Sequence, residues 1–178
     1  MRQIDEEVLF VEDQIVKVGP SDLRALKEKC LKTRRRRIRL CAHPSLDDTV
    51  HEMMIILSKE TYIRPHIHRG RSESFHMIEG SLDVVIFDEQ GHISDVIQMG
   101  DCATDRVLYY RLSDPHYHTP LIRSELVVFH ETTSGPFIRE DSIFAPWSPE
   151  ESDRKGVKEF KETLERSVNR FLDRSGTG

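Results

Sequence analysis

The segment PHIHRGRSESFHMIEG, residues 65–80, is the part of the chain that most constrains its fold and its chemistry. His66 and His68 are two residues apart, so on an extended strand both imidazoles point to the same face. The following residues, RGRS, allow the chain to turn back, which lets Glu73 approach the same point from a neighbouring strand. Nitrogen and oxygen donors in this combination suit first-row divalent metal ions. The segment therefore predicts part of a metal site on a β-sheet.

Length, charge and cysteine content limit the class of protein. The chain has 178 residues, enough for one domain with a sizeable core, and its net charge of −5 argues against a general nucleic-acid binder. The N-terminal sequence MRQIDEEVLF is acidic, and no apolar run approaches the roughly 20 residues of a membrane-spanning helix. The three cysteines have no metal-like spacing and are interpreted as reduced thiols. These features predict a cytoplasmic protein with neither a signal peptide nor a membrane anchor.

The middle of the chain consists of short apolar runs separated by turn signals. Glu79-Gly80 marks one turn, and Asp88–Gly91 marks a strong hairpin turn. Short strands without a long helical pattern between them are typical of a sandwich or barrel. We therefore predict an all-β fold with strand segments at 53–57, 61–68, 75–78, 82–87, 92–99, 107–112, 116–121 and 126–131.

The two ends carry helical patterns instead. Pro20-Ser21-Asp22 is a typical helix start, and near the C-terminus an amphipathic stripe is formed by Val157, Phe160, Leu164, Val168 and Phe171. We therefore predict an N-terminal extension and helix over 1–34, a β-barrel over 35–147, and a C-terminal amphipathic helix and tail over 148–178. The C-terminal helix is expected to pack on the outside of its own barrel. Burial of its stripe against a second subunit is the alternative.

The spacing H-x-H-x4-E-x6-G, formed by His66, His68, Glu73 and Gly80, resembles the first motif of the cupin superfamily. The leading glycine of that motif is replaced by Glu60 in this chain. The resemblance implies a double-stranded β-helix, the cupin or jelly-roll barrel, with flanking N- and C-terminal helices. It also implies a divalent metal ion held by these histidines and the glutamate.

The second cupin motif would supply one more histidine. It normally follows a Gly-Asp pair, present here as Gly100-Asp101, and a proline-glycine turn, replaced here by Ser113-Asp114-Pro115. His118 stands where the ligand is expected, but His116 has the same strand parity, so both stay candidates for the fourth ligand.

A narrower resemblance is to the WbuC family of cupin-fold metalloproteins. It covers roughly residues 20–152 and rests on the segments RRRRIRLCAHPSLDDTVHEMMIIL, TYIRPHIH, LDVVIFDEQGHI and FAPWSPEE, together with the strand from Glu73 to Gly80 and with His118-Thr119. The resemblance implies a small β-barrel with a bound divalent metal, similar to proteins encoded in bacterial O-antigen and surface-polysaccharide clusters. Cys41 departs from the family, which tends to have asparagine at this position.

A site of three histidines and one glutamate leaves one or two coordination positions open, which is typical of a reactive site. Zinc, iron, manganese, nickel and cobalt all suit such ligands. Together with the resemblance to the WbuC family and the arginines near the ligands, an open metal site leads us to expect a metal-dependent isomerase or epimerase of a sugar or nucleotide sugar in surface-polysaccharide biosynthesis. A non-catalytic sugar-binding or regulatory protein and an iron-dependent dioxygenase are the alternatives, and no catalytic residue stands out.

Four side chains are candidates for binding the substrate. Arg64 and Tyr62 share the strand parity of His66 and His68, whereas Arg37 and Arg39 alternate with apolar residues on a predicted barrel strand. An arginine can hold a phosphate or carboxylate in a bidentate fork. We therefore predict a small-molecule ligand such as an anionic sugar, no nucleic-acid or membrane partner, and a homodimer that covers the sheet edges.

Overall fold

The computed structural model of the protein describes residues 1–175, so the last three residues of the predicted C-terminal tail lie outside the described residues. Two helices flank the strands, α1 (Pro20–Cys30) and α2 (Arg154–Ser175), and a short 3₁₀ turn spans Arg139–Asp141. In chain order the strands are β1 (Arg2–Gln3), β2 (Val8–Phe10), β3 (Arg37–Cys41), β4 (Val50–Ser58), β5 (His66–His68), β6 (Glu73–Glu79), β7 (Ser81–Phe87), β8 (Ile93–Gly100), β9 (Tyr109–Leu112), β10 (Tyr117–Ile122), β11 (Leu126–Ser134) and β12 (Ser142–Phe144).

A long two-stranded ribbon wound on itself forms the barrel. The tip of the ribbon is the predicted turn at Asp88–Gly91, between the paired strands β7 and β8. Away from the tip, β6 pairs with β9, β5 with β10 and β4 with β11, all antiparallel. Successive pairs lie alternately in a seven-stranded sheet, β1-β2-β3-β4-β11-β6-β9, and a five-stranded sheet, β12-β5-β10-β7-β8. The chain is therefore a double-stranded β-helix with flanking helices, and the predicted fold class is confirmed.

One corner of the barrel depends on residues that the motif comparison singled out. The chain leaves β6 and enters β7 in the opposite sheet at Gly80, whose φ of 82° lies in the left-handed region that favours glycine. The Gly80 N–H donates to Asp101 Oδ2 at 2.9 Å, so the motif glycine and the Gly100-Asp101 pair stabilise the same corner.

The main core lies between the sheets, where Ile55, Phe75, Val84, Met99 and Phe129 are buried together. Two further clusters lie on the outer faces. Under α1, the first cluster contains Leu26, Cys30, Ile38, Leu40, Ile56 and Val128. Under α2, the second cluster contains Val85, Phe87, Leu121, Leu164 and Val168. The C-terminal helix thus packs on its own barrel, as expected.

Two local predictions differ from the structure. The first is the run 61–68, which is a strand only from His66 onward. Thr61 instead forms a turn after β4, with its hydroxyl donating to the Arg36 carbonyl at 2.6 Å, and Pro65 has no N–H to offer a ladder. The second difference is that three short strands were not predicted: β1 and β2 extend the seven-stranded sheet, with β2 parallel to β3, and β12 pairs with β5 in the five-stranded sheet. The boundaries assigned to the three parts of the chain stay a prediction.

None of the helices within residues 1–175 has the length and apolar character needed to span a membrane.

Burial of α2 predicts the effect of truncating its stripe. Leu164 is 8% exposed, so we expect Leu164→Ala to lower the free energy of unfolding by about 2–4 kcal/mol through lost transfer energy and a residual cavity. Glu162→Ala, at an exposed position of the same helix, is the control and should change stability by less than about 0.5 kcal/mol. Urea unfolding at a concentration where the protein is monomeric measures both. Equal effects of the two substitutions would contradict packing of the helix on its own barrel.

Candidate metal centre

The barrel brings four side chains from three strands to one point on its inner wall. His66 and His68 come from β5, Glu73 from the start of β6, and His118 from β10, where it lies directly opposite His66. Their four donor atoms all lie within 4.8 Å of one another. His66 Nε2 is 3.1 Å from His68 Nε2, which is 3.3 Å from Glu73 Oε2. Glu73 Oε1 is 3.1 Å from His118 Nε2.

The opposite ring nitrogens set the orientation of all three imidazoles. His66 Nδ1 lies 2.9 Å from the Arg64 carbonyl, and His118 Nδ1 lies 2.9 Å from the His116 carbonyl. A carbonyl only accepts hydrogen bonds, so both Nδ1 atoms carry the proton and donate. His68 Nδ1 lies 3.2 Å from Ser142 Oγ and can donate in the same way. The Nε2 lone pairs therefore point inward, an arrangement typical of histidines that bind metal.

This arrangement leaves acceptors facing acceptors. Glu73 Oε1 and His118 Nε2 are buried and have no hydrogen-bond partner, although they are 3.1 Å apart. Two lone pairs at this distance in a buried site repel each other unless a cation lies between them. The donor set, three imidazole nitrogens and one carboxylate, is one that first-row divalent metals accept. The residues present therefore fit a divalent metal ion, with coordination positions left for a ligand.

The ionisation of the cluster is consistent with this interpretation. Burial lowers the pKa of His66 to about 3, so its imidazole is neutral, as a metal ligand must be. Burial by itself would raise the pKa of Glu73, but the adjacent His118 outweighs it and holds that pKa well below its usual range. Burial likewise opposes the charged form of His118, yet the Glu73 carboxylate raises the pKa of its imidazole. Glu73 is thus a carboxylate, and a proton on His118 is the species that a metal ion would displace.

The structure distinguishes the two candidates for the fourth ligand. His118 is buried and joins the cluster, whereas His116 is exposed and lies before β10 begins. His116 contributes only its backbone carbonyl, which orients the His118 ring.

A cavity of about 350 Å³ opens over the four side chains. Its wall is largely apolar, and the side chains of Leu46, Phe137 and Phe144 line it while remaining partly exposed to solvent. Strands β4, β11 and β6 lie side by side in this wall. Their register places His51, Thr133 and Glu73 in one row, with Met53, Glu131 and Phe75 in the next row. The cavity therefore extends from the metal cluster across the seven-stranded sheet.

Three of the four predicted substrate-binding residues line this cavity, namely Arg37, Arg39 and Arg64. Arg37 is already paired, because its guanidinium lies 2.9 Å from the buried Glu7 carboxylate and 3.2 Å from Glu151. Arg39 is exposed, and its guanidinium has no hydrogen bond or ion pair to any residue in 1–175.

Arg64 and Tyr62 are held by the segment before α2. Arg64 Nε donates to Ser148 Oγ at 3.1 Å, and its guanidinium carbon lies 5.0 Å from the centre of the Phe144 ring. Tyr62 lies outside the cavity: its hydroxyl donates to the Pro149 carbonyl at 2.9 Å and its ring contacts Phe160. The strand parity that placed Tyr62 inward does not apply, because the chain is not a strand at that point.

Sequence reasoning missed Glu131, which faces the cavity from β11. Burial, together with the charge of Glu73, raises the pKa of Glu131 to about 7. Its carboxylate has no hydrogen bond or ion pair within the described chain. A signal was present, because Glu131 shares strand parity with the buried Val127 and Phe129. A charged residue on an apolar face is a candidate for a cavity wall.

A second missed feature is the pair of buried histidines at the far end of the cavity. The His43 and His51 rings stack with centroids 4.1 Å apart and planes inclined by 5°. His43 Nδ1 lies 3.2 Å from the Glu52 carbonyl, whereas His51 Nε2 is buried without a hydrogen-bond partner. His51 follows the inward parity of β4, and His43 continues the parity of Arg39 and Cys41 two residues beyond the end of β3, which was the available signal.

The raised pKa of Glu131 predicts a pH-dependent cost in stability when no metal is bound. The ordinary pKa of Glu131 is 4.5, and in the folded protein it is about 7. Between these two pH values the folded protein holds a proton that the unfolded chain has released. The free energy of unfolding therefore falls as pH rises through this window. Glu131→Gln cannot ionise, and we expect it to be more stable than the unsubstituted protein by about 1–3 kcal/mol at pH 8, with little difference at pH 4. Urea unfolding in the presence of a chelator measures this. Glu125→Gln, at an exposed position just before β11, is the control, and an equal pH dependence of both variants would contradict the burial argument.

Comparison with known proteins does not assign the chain to a family. A family model described as a domain of unknown function, DUF6016, matches residues 18–99. No curated protein matches the chain. The predicted relation to the WbuC family therefore stays a prediction.

Several solved structures are similar. A protein from Shewanella oneidensis is 14% identical, with a TM-score of 0.47, over 57% of this chain and 65% of that one. An oxalate oxidase in complex with the substrate analogue glycolate is 13% identical, with a TM-score of 0.49, over 68% of this chain and 61% of that one. Oxalate decarboxylase from Bacillus subtilis is 18% identical, with a TM-score of 0.44, over 61% of this chain and 27% of that one. The matched region is thus less than two-thirds of each of these proteins, and the assignment of the barrel rests on the strand order of the chain itself.

Proposed function

We propose that the protein is a metal-dependent isomerase or epimerase that acts on an anionic sugar-type molecule in surface-polysaccharide biosynthesis. The observation that supports this most is the convergence of three inward-pointing Nε2 atoms and one carboxylate at the wall of an open cavity. The WbuC resemblance supports the connection to polysaccharides. The homodimer and the cytoplasmic location stay predictions.

The chain's own residues supply positioning and proton transfer. A bound divalent metal would polarise an oxygen of the ligand and thereby acidify the neighbouring carbon. The apolar wall limits water around the reacting atoms, and the cavity arginines attract a carboxylate or phosphate. We assign to the Glu131 carboxylate, which lines the cavity and has no hydrogen bond or ion pair within the described chain, the role of accepting a proton from that carbon and returning it. Return to the neighbouring carbon, with a proton passing between the two ligand oxygens, gives isomerisation. Epimerisation requires a proton donor on the opposite face of the same carbon, or rotation of the ligand before the proton returns.

Metal content tests the basis of the proposal. We expect purified protein to hold about one divalent metal ion per chain, and His66→Ala/His68→Ala to lose it, because the double substitution leaves two of four ligands. His76→Ala is the matched control, since His76 lies on β6 beside Glu73 but is exposed on the opposite face. Elemental analysis of dialysed protein, with circular dichroism as a check on folding, measures the difference. Equal metal content in the double variant and the control would remove the metal site from the proposal.

Ligand protection tests the substrate class. We expect hexose phosphates, sugar acids or nucleotide sugars to raise the melting temperature of the metal-loaded protein, because a ligand that binds only the folded state stabilises it by mass action. Chelated protein should show a much smaller shift with the same molecules. Thermal denaturation with and without metal makes the comparison, and shifts of the same size in both forms would argue against a ligand at the metal.

Turnover then separates this proposal from the alternatives. Isomerisation or epimerisation of a protecting sugar, followed by NMR, supports the proposal. Protection without turnover would favour a binding or regulatory protein, and oxygen consumption with iron(II) would favour a dioxygenase.

A further inference from the structure

Arg71 is a cavity arginine with much of its hydrogen-bonding capacity unused. It lies on the loop between β5 and β6 and lines the cavity. One terminal nitrogen donates to Ser142 Oγ at 2.8 Å, and the guanidinium carbon lies 5.2 Å from the centre of the Phe137 ring. Its Nε is buried without a hydrogen-bond partner, and it has no ion pair to any carboxylate within residues 1–175. A guanidinium has five N–H donors, so several remain available to a ligand.

The other arginines of the cavity are less suited to an anion at the metal. Arg37 is neutralised by Glu7 and Glu151, and Arg64 is bonded to Ser148. Arg39 pairs with Ile55 of β4, and the register places it two rows of the sheet away from Glu73. Arg71, in contrast, is two residues before Glu73 in the sequence.

Ser142 connects Arg71 to the metal cluster. Ser142 lies directly opposite His68 in the pairing of β12 with β5. Its hydroxyl oxygen is 2.8 Å from the Arg71 nitrogen and 3.2 Å from His68 Nδ1. When the oxygen accepts from both, the Nε2 lone pair of His68 is free for the metal. When the hydroxyl instead donates to Nδ1, the ring proton moves to Nε2 and blocks metal binding. Arg71 and His68 therefore contact the same hydroxyl group, and its orientation links Arg71 to the position of the proton on the His68 ring.

We propose that Arg71 binds the carboxylate or phosphate group of the ligand beside the metal, and that Ser142 is a positioning residue that couples this anion to His68. The inference rests on the proposed function and narrows its substrate class. The two short contacts through Ser142 place the guanidinium within a few ångströms of the His68 ring. One small ligand can therefore contact Arg71 with its anionic group and the metal with a hydroxyl or carbonyl oxygen.

The size of the cavity agrees with a ligand of this kind. Its volume of about 350 Å³ is close to the lower end of the range for small-molecule sites. This favours a monosaccharide-sized acid or sugar phosphate over a nucleotide sugar.

Cobalt-loaded protein provides the test, because the visible spectrum of Co²⁺ reports a change in its ligands. Inorganic phosphate and gluconate are the probes, one for each source of the anion, and each is titrated into the protein at constant ionic strength. The Co²⁺ dissociation constant is then measured with and without a saturating probe. Coupling between two sites is reciprocal, so a probe that binds cobalt-loaded protein more tightly must also raise the affinity for cobalt.

Three variants separate the roles of the residues. We expect Arg71→Gln to bind cobalt but to bind the probes at least about tenfold more weakly, the size of a lost charge-assisted contact. Arg69→Gln, an exposed arginine on the same loop, is the control with the same change in charge and should bind the probes as the unsubstituted protein does. For the unsubstituted protein, the probe should raise the cobalt affinity about fivefold or more. In Ser142→Ala this factor should fall but stay above one, because the link from Arg71 to His68 through the hydroxyl is lost while the direct contact between the probe and the metal remains.

Each contrary result overturns a defined part of the proposal. Equal weakening by Arg71→Gln and Arg69→Gln, or no weakening by Arg71→Gln, would overturn the role of Arg71. An unchanged coupling factor in Ser142→Ala would overturn the role of Ser142. Failure of the unsubstituted protein to bind cobalt would overturn the proposed metal site and, with it, this inference.

Discussion

The contact on which the rest of the site depends is the one between Glu73 Oε1 and His118 Nε2, two buried acceptors 3.1 Å apart. The proton on His118 Nδ1 is used in the hydrogen bond to the His116 carbonyl, so relief of the repulsion at Nε2 needs a second proton or a metal ion. His66 and His68 repeat the pattern, with their Nε2 atoms 3.1 Å apart. Such a cluster is stable only with a cation at its centre, and either a proton or a metal ion can take that place. The barrel around the cluster holds the four side chains in position. A bound metal ion would add the positive charge that favours an anion in the cavity.

The winding of the ribbon explains how these ligands meet. His66 and His118 are far apart in the sequence, yet they lie directly opposite each other because β5 and β10 form one pair of the folded ribbon. The Gly80 corner sends β6 and β7 into opposite sheets, and Asp101 holds that corner. The same topology places Glu131 in the row next to Glu73. A residue of the cavity wall is thus close to the metal cluster in space, although no local sequence motif connects the two.

The sequence-based predictions captured features that depend on local backbone geometry and missed features that depend on contacts between segments distant in the sequence. The period of two predicted that His66 and His68 share a face and that Arg37 and Arg39 share another, since that period depends only on local backbone geometry, but it left open which face of the arginine strand borders the cavity. It failed at Tyr62, where a turn held by Arg36 interrupts the strand. It also missed that Arg37 is neutralised by Glu7, because that partner directly precedes β2, a strand that the sequence analysis did not predict. Glu131 was detectable, since a carboxylate alternates with buried Val127 and Phe129, but only the fold shows that this face borders the metal cluster.

The charges of the cavity follow from the same geometry. Glu73 and an ionised Glu131 carry two negative charges, whereas Arg39, Arg64 and Arg71 have no carboxylate partner within residues 1–175. A divalent ion at the cluster displaces the proton on His118 and therefore raises the excess positive charge from about two to about three, in a mostly apolar cavity where such charges are poorly screened. Aromatic rings support two of the guanidinium groups, Phe144 under Arg64 and Phe137 under Arg71, so both arginines are already positioned at the mouth of the cavity. A small anion entering between them would contact the metal with one oxygen and Arg71 with another, while Arg64 adds positive charge nearby. Because each favourable charge depends on the other, metal and anion should bind together more strongly than either binds alone.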